Sequence, residues 1–265
     1  MKPAAAHKQV ERWRENCPEP AEDDIAEEVP VSLEYNGLPF AVMLATPLDL
    51  EDFALGFSLS EGILADAGQL LEIKLDDTPK GIRIRMSVSS ESSKPAARNM
   101  AGRTGCGLCG IERLEEAIRI PRAVPDRFRM SSGALHLALE SMPEHQVLQK
   151  QTGATHAAAW VSGLGEILCV REDVGRHNAL DKLIGFLASK GTDFSDGAVL
   201  ITSRASCEMV QKASTMGIEL MAAVSAPTNL ARDLAVETGL TLIGFARRNG
   251  HTVYANPHRM DYHGY

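Results

Sequence analysis

From His156 onward, short apolar runs alternate with helical stretches, and this alternation constrains the fold more than any other feature of the chain. HAAAWV and EILCV read as a hairpin closed by Gly163 and Gly165. GRHNALDKLIGFLASKG reads as a helix ending at Gly191, GAVLITS as a buried strand, and ASCEMVQKASTMG as a helix. IELMAAVSA, TNLARDLAVETG and LTLIGFA continue the series as strand, helix and strand, and HTVYANP adds an edge strand. Strands separated by helices predict a mixed, mainly parallel sheet sandwiched by helices, an α/β fold. Ligands on such sheets collect at the carboxyl ends of the strands.

The first half is patterned differently and predicts a smaller α+β domain. VPVSLEYNGLPFAVML is two extended runs joined at Asn36-Gly37, a pair that supplies the positive φ a tight hairpin turn needs. Thr46-Pro47 reads as a helix start, with Thr46 as cap and Phe53 and Phe57 on the core face. GIRIRMSV alternates, with Ile82, Ile84, Met86 and Val88 on one face. IERLEEAIRI reads as a helix ended by the stretch from Pro121 to Pro125. Residues 1–27 are polar, with acids at Glu22, Asp23, Asp24 and Glu27, and predict a flexible arm. The expected organisation is an arm over 1–27, an N-terminal domain over 28–125 and a C-terminal domain over 126–265.

A chain of 265 residues with 44% hydrophobic residues can bury a substantial core. Its formal charge of -8 argues against a duplex nucleic-acid partner, though not against a local basic pocket. No apolar run is long enough for a membrane helix, and the first residues lack a signal core, so a cytoplasmic protein is expected. Five cysteines, two of them three positions apart, suggest reactive or metal-binding thiols rather than a disulfide scaffold.

Those two are Cys106 and Cys109, in Gly105-Cys106-Gly107-Leu108-Cys109-Gly110. Glycines let the chain turn and leave the sulfurs unshielded. Arg103 and the start of the expected helix at Ile111 both favour the thiolate, the reactive form. Three chemistries fit the pair. A disulfide-exchange dithiol fits, although no thioredoxin-like pattern surrounds it. Half of a zinc site fits, although Cys17, Cys169 and Cys207 are isolated and supply no second pair. A sulfur carrier fits, with one thiolate holding a sulfane sulfur as a persulfide. The residues alone leave all three open.

The stretches EEVPVSLEYNG, FALGFSLSEGI, AGRTGCGLCG, TGATHAAAW, EDVGRHNALDKL and SRASCEMVQK together resemble the formate dehydrogenase accessory sulfurtransferase family of the FdhD type. The resemblance runs from about residue 25 to the C-terminal region. It implies a cytoplasmic sulfurtransferase that takes sulfur from a cysteine desulfurase. That sulfur then goes to the molybdenum of bis-molybdopterin guanine dinucleotide, the cofactor of formate dehydrogenase. By resemblance Cys106 carries the persulfide and Cys109 assists. The cofactor-binding segment matches Phe245, Ala246, Arg247, Arg248, Asn249 and Gly250. Two adjacent arginines after a strand also suit phosphate oxygens in their own right. No protein metal site is expected, and two subunits would match the cofactor's two nucleotide arms.

The resemblance also implies a cytidine-deaminase-like C-terminal domain. Deaminase chemistry itself is not expected: no glutamate stands two positions after His177, and Cys207 stands alone. Asp173, Arg176, His177, Asp181 and Lys182, with Ser203, Arg204 and Ser206, could line a nucleotide pocket. Equally, Asp173 could be a cap and Asp181-Lys182 a solvated face. His156, beside an apolar run, is expected to be a core histidine.

Overall fold

In the computed structural model the described residues are 2–89, 100–101 and 120–261. Cys106, Cys109 and the expected helix from Ile111 lie outside them. The order along the chain is β1 (Ala5–Arg14), β2 (Cys17–Ala26), β3 (Val29–Tyr35), β4 (Leu38–Ala45), α1 (Leu50–Ser60), β5 (Leu70–Thr78), β6 (Gly81–Val88) and β7 (Met100–Ala101). There follow β8 (Met130–Ser131), α2 (Ser132–His145), α3 (Val147–Thr152), β9 (His156–Val161), β10 (Ile167–Asp173), α4 (Arg176–Ser189) and β11 (Ala198–Ile201). The chain closes with α5 (Cys207–Thr215), β12 (Leu220–Ala223), α6 (Asn229–Thr238), β13 (Thr241–Arg247), β14 (Gly250–Ala255) and β15 (Met260–Asp261).

The C-terminal half is a six-stranded sheet in the order β10-β9-β11-β12-β13-β14. β11, β12 and β13 pair in parallel, whereas β10/β9, β9/β11 and β13/β14 pair antiparallel. The sheet is therefore mixed, with its parallel part confined to the central three strands, less than the alternation suggested. Hairpin connections at both ends of the series impose the antiparallel edges.

Alternation along the strands feeds two cores. Ala158, Trp160, Val199, Ile201 and Met221 face α4, α5 and α6. Ala157, Ala159, Val161, Leu200 and Ala222 face the other way, against Leu135, Ala138 and Met142 of α2. The first core continues without a break into the N-terminal half, through Phe53 and Phe57 of α1 to Val31, Leu33, Ile82 and Ile84.

The N-terminal sheet has the order β5-β6-β3-β4-β7. Its hairpin turns at Asn36 and Gly37, both at positive φ, as the sequence predicted. Asn36 also bonds both the N–H and the carbonyl of Val88. α1 lies across α4 at a crossing where Gly56 meets the backbone of Asp181 and Gly185. A Cβ at Gly56 would stand 1.7 Å from the Asp181 carbonyl oxygen, so no side chain fits there.

Two expectations are corrected. Residues 5–26 are not a flexible arm but an antiparallel ribbon of β1 and β2, paired from Ala5 with Ala26 to Arg14 with Cys17. The acids that suggested a loose segment face basic and polar partners. His7 bonds Asp24 at 2.9 Å and Glu22 at 3.0 Å, and Gln151 of α3 reaches Asp24. Thr46 does not cap α1, which begins at Leu50 after Asp49. Its N–H and hydroxyl instead bond the Asp173 carboxylate and the Val174 N–H.

Candidate functional site

The carboxyl ends of β11, β12 and β13 open into a cleft of about 630 Å³. Thr202 follows β11, Val224 follows β12, and Ala246 and Arg247 end β13; all line it. The opposite wall is Leu139 and Met142 of α2 with Gln149 of α3. His156 also lines the cleft. Because β9 runs antiparallel to β11, the start of β9 lies at the finish of its neighbour. That direction puts His156 in the cleft rather than in the core where the sequence placed it.

The turn between β13 and β14 is irregular. The ladder shifts register between Gly244 and Arg247, and Phe245 has φ +49. An aromatic residue in the left-handed region costs on the order of 1–3 kcal/mol, so the surroundings must hold it. They do so from two sides. The Phe245 N–H donates to the Ser225 carbonyl at 3.1 Å. Gly244 packs so closely under Pro227 that a Cβ would come within 2.6 Å of its ring. The kink leaves Phe245 45% exposed and buries Ala246. It also turns Arg247 and Arg248 to the cleft.

Arg248 is paired to Glu140 of α2 at 2.7 Å. One turn earlier on α2, His136 hydrogen-bonds His251 of β14 at 3.1 Å. Helix α2 thus holds the turn at two points. Arg247 makes no ion pair or side-chain hydrogen bond with the described residues. Of the six residues matched to a cofactor-binding segment, Ala246, Arg247 and Arg248 line the cleft. Phe245, Asn249 and Gly250 sit on the same turn outside its lining.

A family model described as the FdhD/NarQ family matches residues 26–261. The chain belongs to the FdhD/NarQ family. It is 52% identical to a Cupriavidus necator protein over 96% of this chain and 89% of that one. It is 47% identical to a Xanthomonas euvesicatoria pv. vesicatoria protein over 98% of this chain and 94% of that one. Both relatives are named sulfur carrier protein FdhD. The fold is shared with the crystal structure of a formate dehydrogenase accessory protein from Desulfotalea psychrophila. The TM-score is 0.82 at 24% identity, over 98% of this chain and all of that one.

In this FdhD/NarQ family member the motif EDVGRHNALDK turns inward. Asp173 and Lys182 are both fully buried and pair at 2.7 Å. Asp173 also accepts from the N–H groups of Gly175 and Thr46 and from the Asn178 amide. Asp181 is buried as well, bonded to Ser60 at 2.6 Å and to Lys212 at 3.0 Å. Burial alone would lower the Lys212 ammonium, but Asp181 and Glu61 outweigh it and hold it above its ordinary value. Asp181-Lys182 is therefore no solvated face. These ion pairs bind α1, α4 and α5 together.

His177 and Glu208 approach to 2.6 Å between the first turns of α4 and α5. Ser203, Arg204 and Ser206 follow β11 but do not line the cleft. Among the described cysteines, burial raises the Cys169 thiol to about 11 and pushes Cys207 up as well. Neither is a ready thiolate at neutral pH.

Proposed function

We propose that this FdhD/NarQ family member is a sulfurtransferase that carries sulfur on Cys106. The Cys106 thiolate attacks the terminal sulfur of a cysteine desulfurase persulfide. The donor's S–S bond breaks, the desulfurase thiolate leaves, and Cys106 gains the sulfane sulfur. The acceptor is the molybdenum of bis-molybdopterin guanine dinucleotide, here a substrate, which then serves formate dehydrogenase. Cys109 assists the exchange.

The observation that carries the reading is the cleft at the strand ends, lined by Arg247, which has no acid partner among the described residues. In a chain of formal charge -8, a cation left without an acid partner marks a place for an anion. A diphosphate of the cofactor's nucleotide arm has that chemistry. Names of the relatives support sulfur carriage, and the glycine-flanked cysteines supply its chemistry. Two subunits would serve the cofactor's two nucleotide arms.

Reconstituted activation of formate dehydrogenase tests the reading with Cys106→Ala and Cys109→Ala. A sulfur carrier loses most activation with Cys106→Ala and less with Cys109→Ala. Equal loss in both points to a disulfide enzyme, and retention in both to a cofactor-delivery protein; either result overturns the proposal.

A further inference from the structure

His156 lines the cleft, and no described protein group bonds its imidazole. Its neighbour across the β9/β10 ladder is Asp173, whose carboxylate would ordinarily partner it. Asp173 is already committed, one oxygen to Gly175 and Asn178 and the other to Thr46 and Lys182. Glu172, the next acid along β10, is spent on the N–H groups of Leu148 and Gln149 and on the Thr155 hydroxyl. From α4, Arg176 and His177 face His156, His177 being matched by Glu208 of α5. From the β13–β14 turn come Arg247 and Arg248, the latter matched by Glu140.

Among the described residues, the cleft that His156 lines therefore holds one cation without an acid partner, Arg247, and neither Asp173 nor Glu172 is free to pair with the imidazole. Burial, then Arg176 and His177, hold its imidazole below the ordinary 6.5 and keep it neutral at physiological pH. An anion in the cleft opposes that shift, because its charge favours the imidazolium. We propose that His156 is a ligand-binding residue that takes up a proton when a diphosphate group enters the cleft beside Arg247. The inference rests on reading this cleft as the seat of the cofactor's nucleotide arm. Anion and proton then strengthen each other's binding by the same factor. Affinity rises as pH falls, by up to about tenfold per pH unit where one proton is coupled.

The test is calorimetric binding of GDP-mannose to the full chain. Its diphosphate is a diester and does not titrate near neutrality, so any proton taken up belongs to the protein. Titrations run at one pH in buffers of differing ionisation enthalpy count the protons. Wild type is expected to take up a measurable fraction of one proton, and its affinity to rise several-fold from about pH 8 to pH 6. His156→Gln keeps a hydrogen-bonding side chain, but is expected to take up none and to bind with a flat pH profile. Binding with uptake that persists in His156→Gln, or with none in wild type, overturns the inference and leaves the cleft reading standing. No binding by wild type at any pH overturns both. Should His156→Gln not fold, the wild-type His156 ring resonance must move to its protonated position when GDP-mannose is added; a static resonance overturns the proposal.

Discussion

Replacing Lys182 with Met removes a charge from the most enclosed ion pair in the described structure. Lys182 and Asp173 are each 0% exposed and 2.7 Å apart. Met preserves the length of the side chain, so the cost is electrostatic more than steric. Asp173 keeps three neutral donors but loses its cation, and the Thr46 and Glu172 carbonyls lose a donor. Breaking a buried pair from one side costs roughly 3–5 kcal/mol. A domain of this size loses about 2–4 °C of Tm per kcal/mol, so a drop of about 10 °C is expected. Adding Asp173→Asn removes the stranded charge and should restore part of the loss. Thermal unfolding followed by circular dichroism reads all three proteins. The reasoning fails if Lys182→Met melts within about 3 °C of wild type, or if the double variant melts below the single one.

Gly56→Ala forces a methyl into the Asp181 carbonyl and should cost about 3 kcal/mol or prevent folding, read by urea denaturation. An unchanged midpoint would mean that the helices separate freely. The His251 imidazole is held below its ordinary 6.5 by burial and then by His136. The unfolded chain therefore binds that proton more readily, and stability falls as pH drops below about 6.5. His251→Gln should flatten this part of the Tm–pH curve, and a slope equal to wild type would contradict the assignment. Arg247→Ala should weaken GDP-mannose binding at least about tenfold, since hydrogen bonds to a charged group contribute roughly 1.5–3 kcal/mol. Unaltered affinity would place the anion elsewhere.

Much of the fold was legible because its elements carry their own signals. Asn36-Gly37 turns the first hairpin, Ile82, Ile84, Met86 and Val88 share one buried face, and Gly191 ends α4 at positive φ. Other features depend on partners that no local pattern reveals. β1 and β2 bury no continuous face, so they lack the alternation that marks a strand. Thr46 resembles a cap, yet its hydroxyl and N–H are claimed by residues 173 and 174, brought close only by folding. Asp181 and Lys182 look like a solvated pair because a sequence does not show that Ser60 and Lys212 surround one and Asp173 the other. His156 is placed in the cleft by strand direction and strand order together. The hairpin fixes β9 against β10 only; that β9 also lies antiparallel beside β11, which puts its first residue where β11 ends, is seen only in the folded sheet.

Intact-mass spectrometry bears most directly on Cys106 as the place where sulfur rides. The full chain is incubated with a cysteine desulfurase and cysteine under non-reducing conditions. Wild type should gain the mass of one sulfur atom, reversed by a thiol reductant, and Cys106→Ala should gain none. Sulfur that adds equally to Cys106→Ala, or a wild-type chain that forms only an internal Cys106–Cys109 disulfide, would contradict the account.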